Sequence, residues 1–363
     1  MRVKELPPEM VNGAAYGSRA FLEVRGMLAL LGVMGALFAG IMAESVMSSN
    51  DDGEGNQDPE EDVDIADTGN LLDEEEEWSV DPGPDPELDP VSDDVPDAPV
   101  EAMVLEGDSA ADILAGQDND DEITGAQGDD QIDGRAGDDR IEGDAGDDHA
   151  LGGDGDDQMF GGTGNDGLHG QDGQDRLSGG EGADTLSGHE GDDLLTGGGG
   201  GDSLFGGGGD DALSGGTGDD WLAGGYGEDA LAGGAGSDTL DGNAGDDRLD
   251  GSGDAFPDFL NGGDGDDSLV LGKGDIATGG EGTDSFSLRD WMEEGGIAAI
   301  SDFDAEGDEL VVVYDAAFHT NPHLTSETAE DTGDVTILLD GNPVAIVAGA
   351  GAVDLSQIRL AAA

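Results

Sequence analysis

Large apolar residues recur every ninth position through the middle of this chain. The series begins Leu114, Ile123, Ile132, Ile141 and includes Met159, Leu168, Leu177, Leu186, Leu195, Leu204, Leu213, Leu222, Leu231, Leu240, Leu249, Leu260 and Leu269. Two residues before each stands an aspartate: Asp112, Asp121, Asp130, Asp139, Asp148, Asp157, Asp166, Asp175, Asp184, Asp193, Asp202, Asp211, Asp220, Asp229, Asp238 and Asp247. After a two-residue insertion around Phe256-Pro257 it resumes at Asp258, Asp267 and Asp284. The unit is G-G-x-G-x-D-x-U-x, with U a large aliphatic residue, as in Gly215 to Ala223 (GGTGDDWLA). The array spans 107–287.

Nine residues are too few for a helix plus a strand, and glycine at two or three of nine positions forbids sustained helix. The triplet x-U-x predicts a short strand with U on one side. The six residues before it predict a turn, using glycine's access to positive φ. Successive units then lie on opposite faces of a coil with eighteen residues per turn, U side chains meet in a thin core, and turns stack. Aspartates of units n and n+2 come together, flanked by glycine-rich carbonyls. Such an all-oxygen setting suits Ca²⁺, which takes 6–8 flexible oxygen ligands. Mg²⁺ prefers a stricter octahedron, and Zn²⁺ wants His or Cys. Read without metal, each Asp is a turn former. Nineteen aspartates in one register favour calcium.

This array resembles the calcium-binding repeats of the RTX (repeats-in-toxin) family of exported bacterial proteins. The resemblance implies an all-β, right-handed parallel β-roll binding several Ca²⁺ ions. The aspartates named above would be the ligands, with carbonyls of the preceding glycines. It also implies a chain that stays unfolded in low-calcium cytosol and folds outside.

Three departures mark expected weak points. Position four is Ala110 and Asn119 in the first two units, predicting a capping end. Ala150 underfills the apolar place, with Leu151 one step late. Leu271 to Thr278 is one residue short, so Asp275 takes the aspartate place only with a contracted loop.

Composition sharpens this picture. With 88 acidic and 11 basic side chains among 363 residues, the formal charge is −77. Such a chain repels itself unless cations cancel the charge, and nucleic acid is excluded because phosphate binding needs a basic surface. The chain has no Cys, so disulfide and thiolate sites are excluded.

Residues 1–25 carry mixed charge. Within 26–43, Met27 to Ala43 is a 17-residue uncharged run, read as an N-terminal apolar helix. It is either a membrane anchor, N-terminus in the cytoplasm by the positive-inside rule, or a cleaved signal segment. Gly32, Ala36 and Gly40 form a small-residue ridge on it. Segment 44–106 reads as a disordered acidic linker: residues 51–100 hold 21 Asp or Glu, no Lys or Arg and seven of the twelve prolines. Its typical reach is about 45 Å.

Residues 288–363 predict a small C-terminal β domain, with strands at 298–303, Glu309–Tyr314, Asp334–Leu339 and Val344–Val347, the last two joined through Asp340-Gly341. The stretch ISDFDAEGDEL resembles the segment that follows RTX rolls, whose C-termini carry the signal read by type I secretion machinery. That route needs no N-terminal apolar segment, so the export route stays open.

No H-E-x-x-H, G-x-S-x-G or P-loop sequence is present. His149, His169 and His189 share no repeat register and read as surface substitutions. His319 and His323 are separated by Pro322 with no following Glu, so they do not make a catalytic metal site. Repeat carboxylates read as lying in polar turns, not in the apolar pocket a general acid needs. The reading is a non-enzymatic, calcium-loaded protein, secreted or at the cell surface. The alternatives are an enzyme or toxin whose roll only aids export and folding, or a calcium-dependent adhesin.

Overall fold

A computed structural model describes residues 102–289 and 296–363. The apolar run at 27–43 and the linker up to residue 101 lie outside the described residues. Among the described residues strand follows strand with no helix. Successive strands go alternately to two sheets, one of 13 strands and one of 14.

The nine-residue unit sets this topology. Two units complete one turn, so each strand meets its counterpart eighteen residues on, in parallel: Leu186 pairs with Leu204, Leu204 with Leu222, and Leu195 with Leu213. The strands are longer than the expected triplet. Thr185–Glu190 (TLSGHE) is typical, running from position seven of one unit to position three of the next. Its burial alternates, with Leu186 and Gly188 inside. The continuation is possible because the glycine at position one is accommodated in the strand and position two then takes positive φ. Glycine usually stands there, but Arg135 (87°) and His189 (82°) adopt it too.

Position four is stricter. Gly200 and Gly218 sit at φ 134° and 127°, and a Cβ on Gly218 would overlap the carbonyl oxygen of Gly200. Only glycine fits there. Ala110 and Asn119, which hold this place in the first two units, are not at positive φ, so those two turns take another path.

The U side chains form one column between the sheets. From Ile123 to Leu269 every occupant of the place is at most 3% exposed. Ala150 fills its place at 1%, while Leu151 stays half-buried outside. At the first end Leu105 and Leu114 are only half-buried. The first strand, Val104–Glu106, pairs with Glu122–Gln127. The roll therefore begins inside the segment read as linker.

Unequal turns absorb the irregular units without disturbing the sheets. The Phe256-Pro257 insertion lengthens a turn, so Leu240 pairs with Leu260 and Leu249 with Leu269, twenty apart. The shortened unit then makes Leu260 pair with Ala277 and Leu269 with Phe286, seventeen apart.

The segment read as a small C-terminal β domain extends both sheets. Ala298–Ile300 pairs in parallel with Ile276–Glu281, and Glu309–Tyr314 with Ser285–Leu288. Asn342–Val347 and Arg359–Ala362 add one further parallel strand to each sheet. Phe286, Ile300, Leu310, Val312, Ile337 and Val347 belong to the same buried cluster as the leucine column. The reason is hydrophobic continuity: the column's open end is covered by β-branched strands of the same chain. Asp340 (φ 52°) and Gly341 (φ 85°) make the two-residue hairpin turn between Leu339 and Asn342.

Candidate metal centre

Each repeat ends its turn on the position-six aspartate, and the stacking lays these residues in two rows. In one row the backbone N–H of Asp121 donates to Asp139 Oδ1 (2.7 Å), Asp139 to Asp157 (2.8 Å), Asp157 to Asp175 (2.8 Å) and Asp175 to Asp193 (2.8 Å). The row continues through Asp211, Asp229, Asp247, Asp267 and Asp284. The other row links Asp112, Asp130, Asp148, Asp166, Asp184, Asp202, Asp220, Asp238 and Asp258 in the same way. All nineteen sequence-predicted aspartates are therefore in the rows.

These carboxylates, expected in polar turns, are buried in them. From Asp121 to Asp284 each is at most 3% exposed. The backbone closes over them because position one has no side chain. A Cβ on Gly143 would stand 2.5 Å from Asp148 Oδ2 and 2.8 Å from the carbonyl oxygen of Gly161, one turn on. The carboxylate oxygen and that carbonyl oxygen thus face the same small space.

Oδ1 is satisfied by the ladder, but Oδ2 is not. In the sixteen aspartates from Asp130 to Asp267, Oδ2 is buried without a hydrogen-bond partner. Near the ends it accepts from its own loop: Asp108 N–H donates to Asp112 Oδ2 (2.8 Å), Gln117 N–H to Asp121 Oδ2 (2.7 Å) and Gly272 N–H to Asp275 Oδ2 (2.6 Å). Among the described residues no three His or acidic side chains gather as a metal cluster. At places such as Gly143 the space is instead bounded by a single carboxylate oxygen and a main-chain carbonyl oxygen. A buried anionic oxygen without a donor is costly, and a hard cation that accepts carbonyl ligands is the group that fits it.

The repeat matches a known family. The RTX calcium-binding nonapeptide repeat (4 copies) matches residues 106–141, 133–168, 169–204, 188–222, 205–240, 223–255 and 252–275. Residues 106–275 are RTX calcium-binding repeats. No curated protein matches the chain by sequence.

The acidity of the RTX aspartates reflects their burial. Burial pushes Asp157, Asp211 and Asp247 up to about 7 and Asp258 up to about 8. The donated backbone hydrogen bond opposes the rise, and neighbouring aspartates add to it. Asp139, Asp166, Asp175, Asp220 and Asp267 are raised to about 6 for the same reasons. A cation beside the carboxylate favours its ionised form and offsets the penalty of burial.

The RTX rows also take in Asp275, through the contracted loop read from the sequence, and run past it to residues not picked from sequence. Asp258 N–H donates to Asp275 Oδ1 (3.1 Å), and Asp275 is fully buried. Asp284 N–H donates to Asp308 Oδ1 (3.0 Å), across twenty-four residues. Asp302 receives Gly279 N–H on Oδ1 and Gly280 N–H on Oδ2, both 2.9 Å. The Asp-Phe step at 302–303 and the acidic turn before Glu309 were the only sequence signals for these two. A second ladder at position five was not foreseen. There the bonds run the other way, Asp138 N–H to Asp120 Oδ1 (3.1 Å) and Asp156 N–H to Asp138 Oδ1 (3.0 Å), on exposed side chains.

Proposed function

We propose that this chain is an exported, non-enzymatic calcium-binding protein whose solenoid orders when Ca²⁺ is bound outside the cell. The observation that carries the reading is the pair of buried aspartate rows with sixteen orphaned Oδ2 atoms. Asp112 to Asp284 in the two rows, joined by Asp275, are the proposed carboxylate ligands, with position-one carbonyls such as that of Gly161 completing the cages. When bound, Ca²⁺ would supply the neutralising charge; the residues supply the oxygen ligands and their spacing. Metal binding is then folding free energy. The net charge of −77 supports this, because self-repulsion opposes the compact state until cations enter. Extracellular calcium modules bind at about 10⁻⁴–10⁻³ M, a level a cytosol does not reach. The RTX resemblance favours export by a type I machine, and the apolar run at 27–43 favours a tether to the cell surface.

Circular dichroism of the full chain during a calcium titration tests the reading. Strand signal is expected to rise cooperatively in the range above, with little response to equal Mg²⁺. No gain at millimolar Ca²⁺, or equal gain with Mg²⁺, would overturn it.

A further inference from the structure

His149, His169 and His189 lie twenty residues apart, in different places of their repeats. The fold nevertheless brings them together. They sit on the neighbouring strands His149–Asp154, Gly167–Asp172 and Thr185–Glu190 of one sheet. A step of twenty against a turn of eighteen moves each histidine two residues along the next strand. Two residues along a strand return to the same face, so the imidazoles step diagonally across the outer face. Ring centroids of His149 and His169 are 5.3 Å apart, those of His169 and His189 5.6 Å. His169 Nδ1 and His189 Nε2 are 3.4 Å apart.

The surroundings make room for this arrangement. Gly167 is the register neighbour of His149, and a Cβ there would stand 3.1 Å from His149 Nδ1. Ser187 beside His169 and Gln171 beside His189 carry no charge. Burial, then the two flanking histidines, lower the His169 imidazole from its ordinary range.

We propose that His169 Nδ1 and His189 Nε2, with His149 beside them, form a site for a transition-metal ion of the zinc class, Zn²⁺, Ni²⁺ or Cu²⁺. Two nitrogens each about 2.0–2.1 Å from a tetrahedral zinc stand about 3.4 Å apart, so the pair is already at chelating distance. Imidazole suits these ions, whereas Ca²⁺ takes oxygen, so the two metals occupy different places on the molecule. No three such groups already surround one point. His149 joins by turning about its side-chain torsions, and water completes the shell.

The test uses the full chain with Ca²⁺ saturating, so that the aspartate rows are not open to the added ion. One equivalent of Cu²⁺ is followed by electron paramagnetic resonance, and Zn²⁺ binding by calorimetry. The expected result is one ion per chain with copper coupled to at least two nitrogens. His169→Ala and His189→Ala should each weaken zinc binding at least about tenfold, while keeping the calcium-induced strand signal. The double variant His319→Gln/His323→Gln should bind as the parent does. Copper without nitrogen coupling, unchanged binding in His169→Ala and His189→Ala, or loss of the ion in His319→Gln/His323→Gln would each overturn the proposal. The first two outcomes would leave the 3.4 Å pair as a hydrogen bond between neutral imidazoles.

Discussion

Replacing Asp211 by Asn separates a metal-ligating carboxylate from a merely buried one, because the two roles predict opposite signs. Asp211 is 2% exposed. Its Oδ1 accepts from Asp193 N–H at 2.8 Å, and its Oδ2 has no partner. A carbon on Gly206 would overlap that Oδ2 and lie 2.6 Å from Gly224 O, so carboxylate and carbonyl share one space. Asn keeps the Oδ1 bond and offers its amide to the Gly224 carbonyl. Burial raises the Asp211 carboxyl from 3.8 to about 7. At pH 8 the ionised form therefore opposes folding, by roughly 4 kcal/mol as an upper bound. Relaxation and water entry bring this to about 2–4 kcal/mol. In chelator at pH 8, Asp211→Asn should fold at a lower sucrose concentration than the parent, since excluded osmolytes favour burial. In calcium the order should reverse: the variant loses an anionic oxygen ligand, and its folding midpoint moves to higher Ca²⁺. Both midpoints are read by circular dichroism. A shift of the same sign in chelator and in calcium, or no shift in calcium, would refute the reasoning.

Two further outcomes follow from the same geometry. Gly143→Ala places a carbon 2.5 Å from Asp148 Oδ2 at a position of ordinary φ. It should cost about 1–3 kcal/mol by overpacking and raise the calcium midpoint, whereas Ser178→Ala on the outer face should do neither, as read by calcium titration and thermal unfolding. The metal-free chain should be more ordered at pH 5 than at pH 8, with strand signal in chelator as the readout. Carboxyls raised to between about 6 and 8 on folding, as in Asp139, Asp157 and Asp258, contribute stability that is full below about 4 and lost as pH rises through their folded values. Equal strand content at both pH values would contradict it.

The repeat made much of this architecture readable in advance. Two registers of period nine fix which residues face inward and give eighteen per turn, since two units close a coil. The hairpin at Asp340-Gly341 and the strand Glu309–Tyr314 follow from local chemistry alone, turn residues and a β-branched run. The aspartates were legible as a set because each stands at one fixed offset from an apolar residue.

What sequence could not supply lies where residues a full turn apart meet across unequal loops. Asp308 extends one row at a spacing of twenty-four, which no fixed period predicts, whereas Asp275, at seventeen, was reachable only by allowing a contracted loop. The burial of Oδ2 was missed because it depends on the next turn closing over a position with no side chain. The three histidines escaped because a step of twenty means nothing until a turn of eighteen lays one strand beside the next. By itself, the sequence determined the period, the inward face and which aspartates line the two rows. The tertiary structure alone decided which of them stack, which oxygens lose their water, and that the C-terminal strands close the same roll, because each of these is a contact between segments rather than a property of one.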